Sequence, residues 1–432
     1  MRLICQLSIV KSQLIFVPLH FFFVKRMSYQ TYTLPNGLRI IFKADKTAVS
    51  YCGLVINTGS RDEEEHEQGM AHFIEHMLFK GTAKRRSGHI INRLENIGGE
   101  LNAYTSKEET VVYATVLNEY FERAMELVSD IVLHSTFPQK EIDKEVVIII
   151  DEIQSYNDSP SELIYDDFEE LVFAQHPIGH NILGRPELLQ NYTTENACDF
   201  IQKHYKPQEM VFLVMGDLNF NQLKRWAEKY LQSPVVEQRN NNRFAPVSYT
   251  ASRLEISKNT HQVHCMIGNR AYDLYHPKRL GMYLLNNILG GPGMNSLLNL
   301  SLREKHGLVY NVESSFQPFT DTGTWSVYFG CDTENAAKCE QLVYAELQKL
   351  RDQPIQENAL KKFKLQLMGQ MAISMEHKEN LALSLGKSYL RYGKIEDIED
   401  IKAKIEKITA QELKEIAIEI FDPSKLSVLI YN

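Results

Sequence analysis

The stretch "GMAHFIEHMLFKGT" (residues 69–82) returns in outline as "LGMYLLNNILGGPG" (residues 280–293), 211 positions later (280 − 69). Its apolar positions superimpose, so one helix-forming unit is written twice, and a repeat at this distance points to two homologous domains. The alignment pairs His72 with Tyr283, Glu75 with Asn286 and His76 with Asn287. The second copy therefore does without the three titratable groups of the first. Packing does not demand them, and on an otherwise apolar helix they are costly unless paired or bound to a metal.

Around the first copy, the strand patterns "LRIIF", "CGLVINTG", "TVVYATVL" and "MVFLVMGDL" alternate with longer helical patterns between Met27 and about Ser233. That mixture predicts an α+β chain of two homologous α/β domains, each a mixed β-sheet flanked by helices. Periodicity fails over residues 234–246, which gather Asn, Arg and Pro, so a linker is expected there between domains at 27–233 and 247–432. Residues 1–26 hold an apolar run too short for a typical membrane span, and no small-residue cleavage site follows it. An ordered pattern begins at once from Met27, so the expectation is that 1–26 is a misread start and the protein cytoplasmic. The alternative is an exported protein with a real signal segment.

Composition narrows the partners. With 47 Lys and Arg against 55 Asp and Glu, the formal charge is −8, which argues against nucleic acid, whose backbone calls for a basic face. Six cysteines lie scattered without CxxC spacing, as reduced thiols in a cytosol-like compartment would.

On a helix turning about 100° per residue, His72, Glu75 and His76 fall within one arc of about 100°. Imidazoles at i and i+4 can present nitrogens to one zinc ion, which needs a third protein ligand and an open position. Glu75 beside them could take a proton from a water activated there. The bland alternative is a chance HxxEH on a surface helix. Downstream, "KEVVIIIDEIQSYND" (144–158) carries Glu145 and Glu152 seven apart. As a helix entered at Pro138 it puts both on one face, Glu152 as third ligand and Glu145 as its support. As a strand, which the β-branched run favours locally, it sends them to opposite faces. Length and Pro138 favour the helix.

Taken with "NTGSRDE", "LNAYTSKEETVVYATVL", "ILGRPELLQNYT" and "LREKHGLVYNV", in this order, the pattern resembles the pitrilysin-type inverzincin metallopeptidases. It is most similar to the shorter chains related to the mitochondrial processing peptidase and its bacterial counterparts, from about Met27 to Asn432. The resemblance implies zinc, one per chain, on His72, His76 and Glu152, with Glu75 as general base and Glu145 orienting the site. It implies that Arg303 and Tyr310 serve an active site from the second domain, across a homodimer in which each chain is half of a clamshell. It implies peptide substrates added as a strand beside Asn102, Ala103 and Tyr104, with further contacts at Gly290 and Gly291 of a variant glycine-rich loop. The expected activity is hydrolysis of peptides or unfolded segments; the alternative is a non-catalytic subunit of the same fold. Of the remaining clusters, "HPIGH" (176–180) reads as a turn, "HQVHC" (261–265) as no second metal site, and "RDEEEHE" (61–67) as a solvated acidic entry to the helix.

Overall fold

The structure is a computed structural model and describes residues 28–232, 243–258 and 260–432. The apolar segment at 1–26 and most of the expected linker lie outside the described residues.

Two mixed sheets carry the fold. The first is built from β1 (Gln30–Thr33), β2 (Arg39–Ala44), β3 (Val49–Ile56), β4 (Glu100–Thr105), β5 (Thr110–Leu117) and β6 (Met210–Gly216), in the order β1-β2-β6-β3-β5-β4. The second contains β7 (Arg253–Ile256), β8 (Val263–Ala271), β9 (Val309–Pro318), β10 (Gly323–Cys331) and β11 (Ser427–Tyr431), in the order β7-β11-β8-β10-β9. In each sheet a parallel pair, β2 with β6 and β7 with β11, stands on one side and antiparallel strands follow. The order β2-β6-β3-β5-β4 thus recurs as β7-β11-β8-β10-β9, and the repeat read in two helices extends to the sheets. β4 and β9 are equivalent edge strands, each paired on one side only among the described residues.

The halves repeat in sequence but do not pack separately. Every residue of β6 is buried, because both of its faces are covered. Phe212 and Val214 enter the core of the first half, whereas Val211, Leu213 and Met215 meet Leu381 and Leu385 of the Lys378–Tyr392 helix, which belongs to the second half. Gly386 permits this approach, since a Cβ there would stand 2.6 Å from Leu213 Cδ2. In return the Pro160–Val172 helix of the first half lays Leu163, Ile164 and Phe168 against Met266, Leu429 and Tyr431 of the second sheet. Each buried Leu or Phe contributes about 1.5–3 kcal/mol, so the exchange fastens the halves together.

The run "VVIII" is helical. Gln139–Asn157 is one continuous helix entered from Pro138, which occupies the cap just before it, rather than the first helical position, with an extended backbone (φ −61°, ψ 130°). Ile142, Glu145, Val146 and Ile149 are buried at helical spacing while Val147 and Ile148 face outward. Tertiary burial of one stripe overrides the local strand preference of β-branched residues. Among the described residues, no helix is long and apolar enough to cross a membrane.

Candidate metal centre

The Met70–Met77 helix carries "HFIEH" and is held hard at its N-terminus. Gly69 precedes it with φ +95°, a conformation that favours glycine. Gly184 of "ILGR" packs directly on this turn, where a Cβ would come within 2.4 Å of Gln68 O. Glu63 then caps the helix: its carboxylate accepts N–H bonds from Gly69 (2.9 Å) and Ala71 (2.8 Å). This corrects the reading of "RDEEEHE" as solvated. Glu64, Glu65 and His66 are exposed, but Arg61 and Glu63 are buried. Burial pushes the Glu63 carboxyl well above its ordinary range, against the pull of the two N–H donors. The helix ends at Met77, with Leu78 closing it.

Met70, Phe73, Ile74 and Met77 bury one side of this helix completely, leaving His72, Glu75 and His76 to face the Gln139–Asn157 helix and β4. His72 Nε2 lies 3.9 Å and His76 Nε2 3.7 Å from the same Glu152 oxygen. The three ligand atoms fall within 4.8 Å of one another and form the only such metal-capable group among the described residues. Tetrahedral zinc bonds of about 2.0–2.2 Å put ligand atoms about 3.3 Å apart, so a small inward adjustment would close the set. Burial, with help from His76, lowers the His72 pKa to about 3, which keeps its lone pair free. The two imidazoles and one carboxylate are a zinc donor set, and they fit the ion.

The supporting groups are in place. Glu145, buried, accepts from His76 Nδ1 at 3.0 Å and from Lys80 Nζ at 2.5 Å. A carboxylate only accepts, so Nδ1 carries the proton and Nε2 is left to ligate. Burial opposes ionisation of Glu145, but the His76 ring and the Lys80 ammonium outweigh it and hold the carboxyl below its usual range. Glu75 accepts from Thr105 Oγ1 at 2.6 Å, at the end of β4. Burial raises the Glu75 pKa; Thr105 and His76 pull it down and Glu152 adds to the rise. Sequence reasoning missed Glu63, Lys80 and Thr105. Nothing local announces any of the three: Lys80 lies past the end of the helix at Met77, and the turn that follows brings it to Glu145.

Asn102, Ala103 and Tyr104 lie on the edge strand β4, immediately before Thr105. The remaining expected residues sit elsewhere. Gly290, Gly291 and Arg303 line a cavity of about 620 Å³ in the second half, beside Asn286 and Asn287. Arg303 belongs to a π-helical segment, Asn299–Lys305, a rare conformation often found at functional sites. Its guanidinium stands 5.7 Å from the ring centre of Tyr310, which is 84% exposed on β9. The structure brings these two to each other; among the described residues, no hydrogen bond or ion pair joins either to the His72 cluster.

Comparison with known proteins shows the family to which this fold belongs. The sequence model for "Insulinase (Peptidase family M16)" matches residues 39–185, and that for "Peptidase M16 inactive domain" matches residues 191–367. An uncharacterised zinc protease of Bacillus subtilis, YmxG, is 30% identical over 400 residues, covering 92% of this chain and 97% of its own. One from Rickettsia felis is 31% identical over 401 residues, covering 92% and 96%. A protease from Helicobacter pylori superposes with a TM-score of 0.85 at 21% identity, covering 94% of this chain and all of its own. The chain belongs to peptidase family M16, as one of its short members.

Proposed function

We propose that the chain is a zinc-dependent endopeptidase that binds one zinc ion on His72, His76 and Glu152 and hydrolyses peptides or unfolded segments laid along β4. The observation that carries this is the convergence of the three ligand atoms beside a carboxylate that Thr105 ties to the end of an unpaired edge strand. An extended peptide would add to β4 through main-chain hydrogen bonds, next to Asn102, Ala103 and Tyr104, with its scissile carbonyl near Glu75. Zinc bound here supplies Lewis acidity that polarises a carbonyl and brings the pKa of a water to about 7. Glu75 takes the proton of the attacking water on its carboxylate and passes it to the leaving amine. Glu145 holds the His76 ring with its proton on Nδ1.

Arg303 and Tyr310 complete the site from a second copy of the chain. Tyr310 O–H donates to the developing oxyanion and Arg303 holds a substrate carbonyl, with Gly290 and Gly291 bordering the same cavity. Their exposure, with no hydrogen bond or ion pair to the metal ligands of their own chain among the described residues, supports a closing homodimer.

The test is zinc content per chain, together with cleavage of a quenched peptide with and without a chelator, in the wild type and Glu75→Gln. Chelator-sensitive cleavage that disappears in Glu75→Gln supports the reading, and absence of bound metal sinks it. Metal without hydrolysis would transfer support to a non-catalytic subunit, or to one that requires a different partner chain.

A further inference from the structure

The turn between β4 and β5 contains Lys107, Glu108 and Glu109, and all three are buried. Charged residues are almost never fully buried unless paired, and a hairpin turn has no packing reason to be so. Lys107 is held within the first half, by Glu169 (3.1 Å) and the His180 carbonyl (2.7 Å), whereas Glu108 and Glu109 draw on the other half as well. Glu108 accepts from Arg61 (2.6 Å) and from both the N–H and the hydroxyl of Thr320 (3.1 and 2.5 Å). Its carbonyl oxygen accepts from Arg243 (2.9 Å) and Arg391 (3.2 Å). Lys387 pairs with Glu109 at 2.6 Å and sets its ammonium 4.8 Å from the ring centre of Tyr104, on the edge strand itself. Arg61 reaches on to Asp321 at 2.5 Å. Arg391 and Lys387 both lie on the helix that the second half lends to the first sheet.

An edge strand with one free side has only half of its ladder to fix its course. Among the described residues β4 pairs with β5 alone, so its twist and height depend on what holds the turn at its end, one residue beyond Thr105. Bonds to main-chain oxygen fix backbone rather than a side chain. We propose that Arg391 and Lys387 are positioning residues for peptide binding: through the β4–β5 turn, the metal-free half of the chain holds the edge strand in the course an incoming peptide must match. This rests on the reading of β4 as the peptide-binding edge. Neither residue touches the reacting atoms. Their effect falls on binding, and more on extended peptides that use the whole strand than on dipeptide-sized ones.

Arg391→Gln and Lys387→Met are made in the full chain and in a Glu75→Gln background. In that background, anisotropy of a fluorescein-labelled ten-residue peptide gives Kd; zinc per chain and Tm are measured on the same samples. The expected result is a Kd raised about tenfold by Arg391→Gln and at least threefold by Lys387→Met, with zinc content unchanged. In the active chain, KM rises by more than kcat falls. Lys387→Met keeps the aliphatic stem of a partly exposed side chain, so it folds even where Arg391→Gln does not. A merely structural role would lower Tm and leave Kd and KM where they were, and that outcome overturns the proposal, as does a parent chain that binds no peptide. Peptide binding that weakens as expected in a chain holding no zinc would sink the zinc reading and leave this one standing.

Discussion

Replacing Glu145 with glutamine tests how the His76 ring is set. The wild-type carboxylate has two oxygens and two clients, His76 Nδ1 at 3.0 Å and Lys80 Nζ at 2.5 Å. A glutamine keeps one oxygen. Lys80 can only donate and claims it, which turns the amide NH₂ toward Nδ1. Nδ1 must then accept, the proton moves to Nε2, and that nitrogen no longer offers a lone pair to a metal. Loss of such a carboxylate partner lowers metal affinity by about 10–100-fold, or about 1.4–2.7 kcal/mol, and competition from Lys80 puts the expected value in the upper half of that range. Zinc affinity is read by competition with a fluorescent chelator at pH 7.5, with the Tm of the metal-free protein as a folding control. Adding Lys80→Met frees the glutamine oxygen for His76, so the double variant should recover about tenfold of the lost affinity. A single variant within twofold of wild type would refute the orienting role of Glu145. A double variant no better than the single would refute the competition by Lys80.

Other expected outcomes are simpler. Glu152→Gln removes a ligand and should leave less than one zinc per two chains after dialysis, measured by atomic emission; full retention would remove Glu152 from the site. Glu75→Gln should keep its zinc while kcat falls about 10²–10⁴-fold, the range for a lost general base. Thr105→Val deletes the 2.6 Å bond to Glu75 and should lower kcat about tenfold with zinc content unchanged, the worth of one hydrogen bond to a charged group. The metal-free protein should lose stability in acid on account of His72, whose folded pKa of about 3 lies below its unfolded 6.5. The unfolded chain binds the proton first, so stability is full above about pH 6.5 and falls by about 1.4 kcal/mol per unit towards pH 3; His72→Asn should flatten that slope in denaturant titrations. A mixed dimer of a Glu75→Gln chain with an Arg303→Ala/Tyr310→Phe chain should regain activity, and none at all would defeat sharing between subunits.

The sequence made the metal cluster legible because helices convert spacing into direction: His72, Glu75 and His76 share an arc whatever the rest of the chain does. Glu152 required one decision that periodicity alone could not make, since "VVIII" suits a strand locally. The decision is settled by Ile142, Val146 and Ile149, which bury a helical stripe and carry Glu145 inward with them. The paired halves were legible too, because a repeated hydrophobic pattern repeats its fold, although the equivalent sheet orders emerge only from the structure. What escaped is of another kind. Arg61 and Glu63 stand in an acidic run that composition assigns to solvent, yet each is buried among partners distant in sequence, Asp321 and Phe244 for Arg61, or on the backbone of the next helix for Glu63. The exchange of the Lys378–Tyr392 and Pro160–Val172 helices is equally silent locally, since an amphipathic helix records that it has an apolar face and not which sheet will receive it. These hidden contacts share a consequence. The first half contains the His72, His76 and Glu152 cluster, but the exchanged Lys378–Tyr392 helix covers β6 and bonds to the turn after β4, so that half is not a complete structure by itself. Cutting the chain after residue 232 should therefore yield an unstable first half even though every metal ligand is present, whereas two autonomous domains would survive separation.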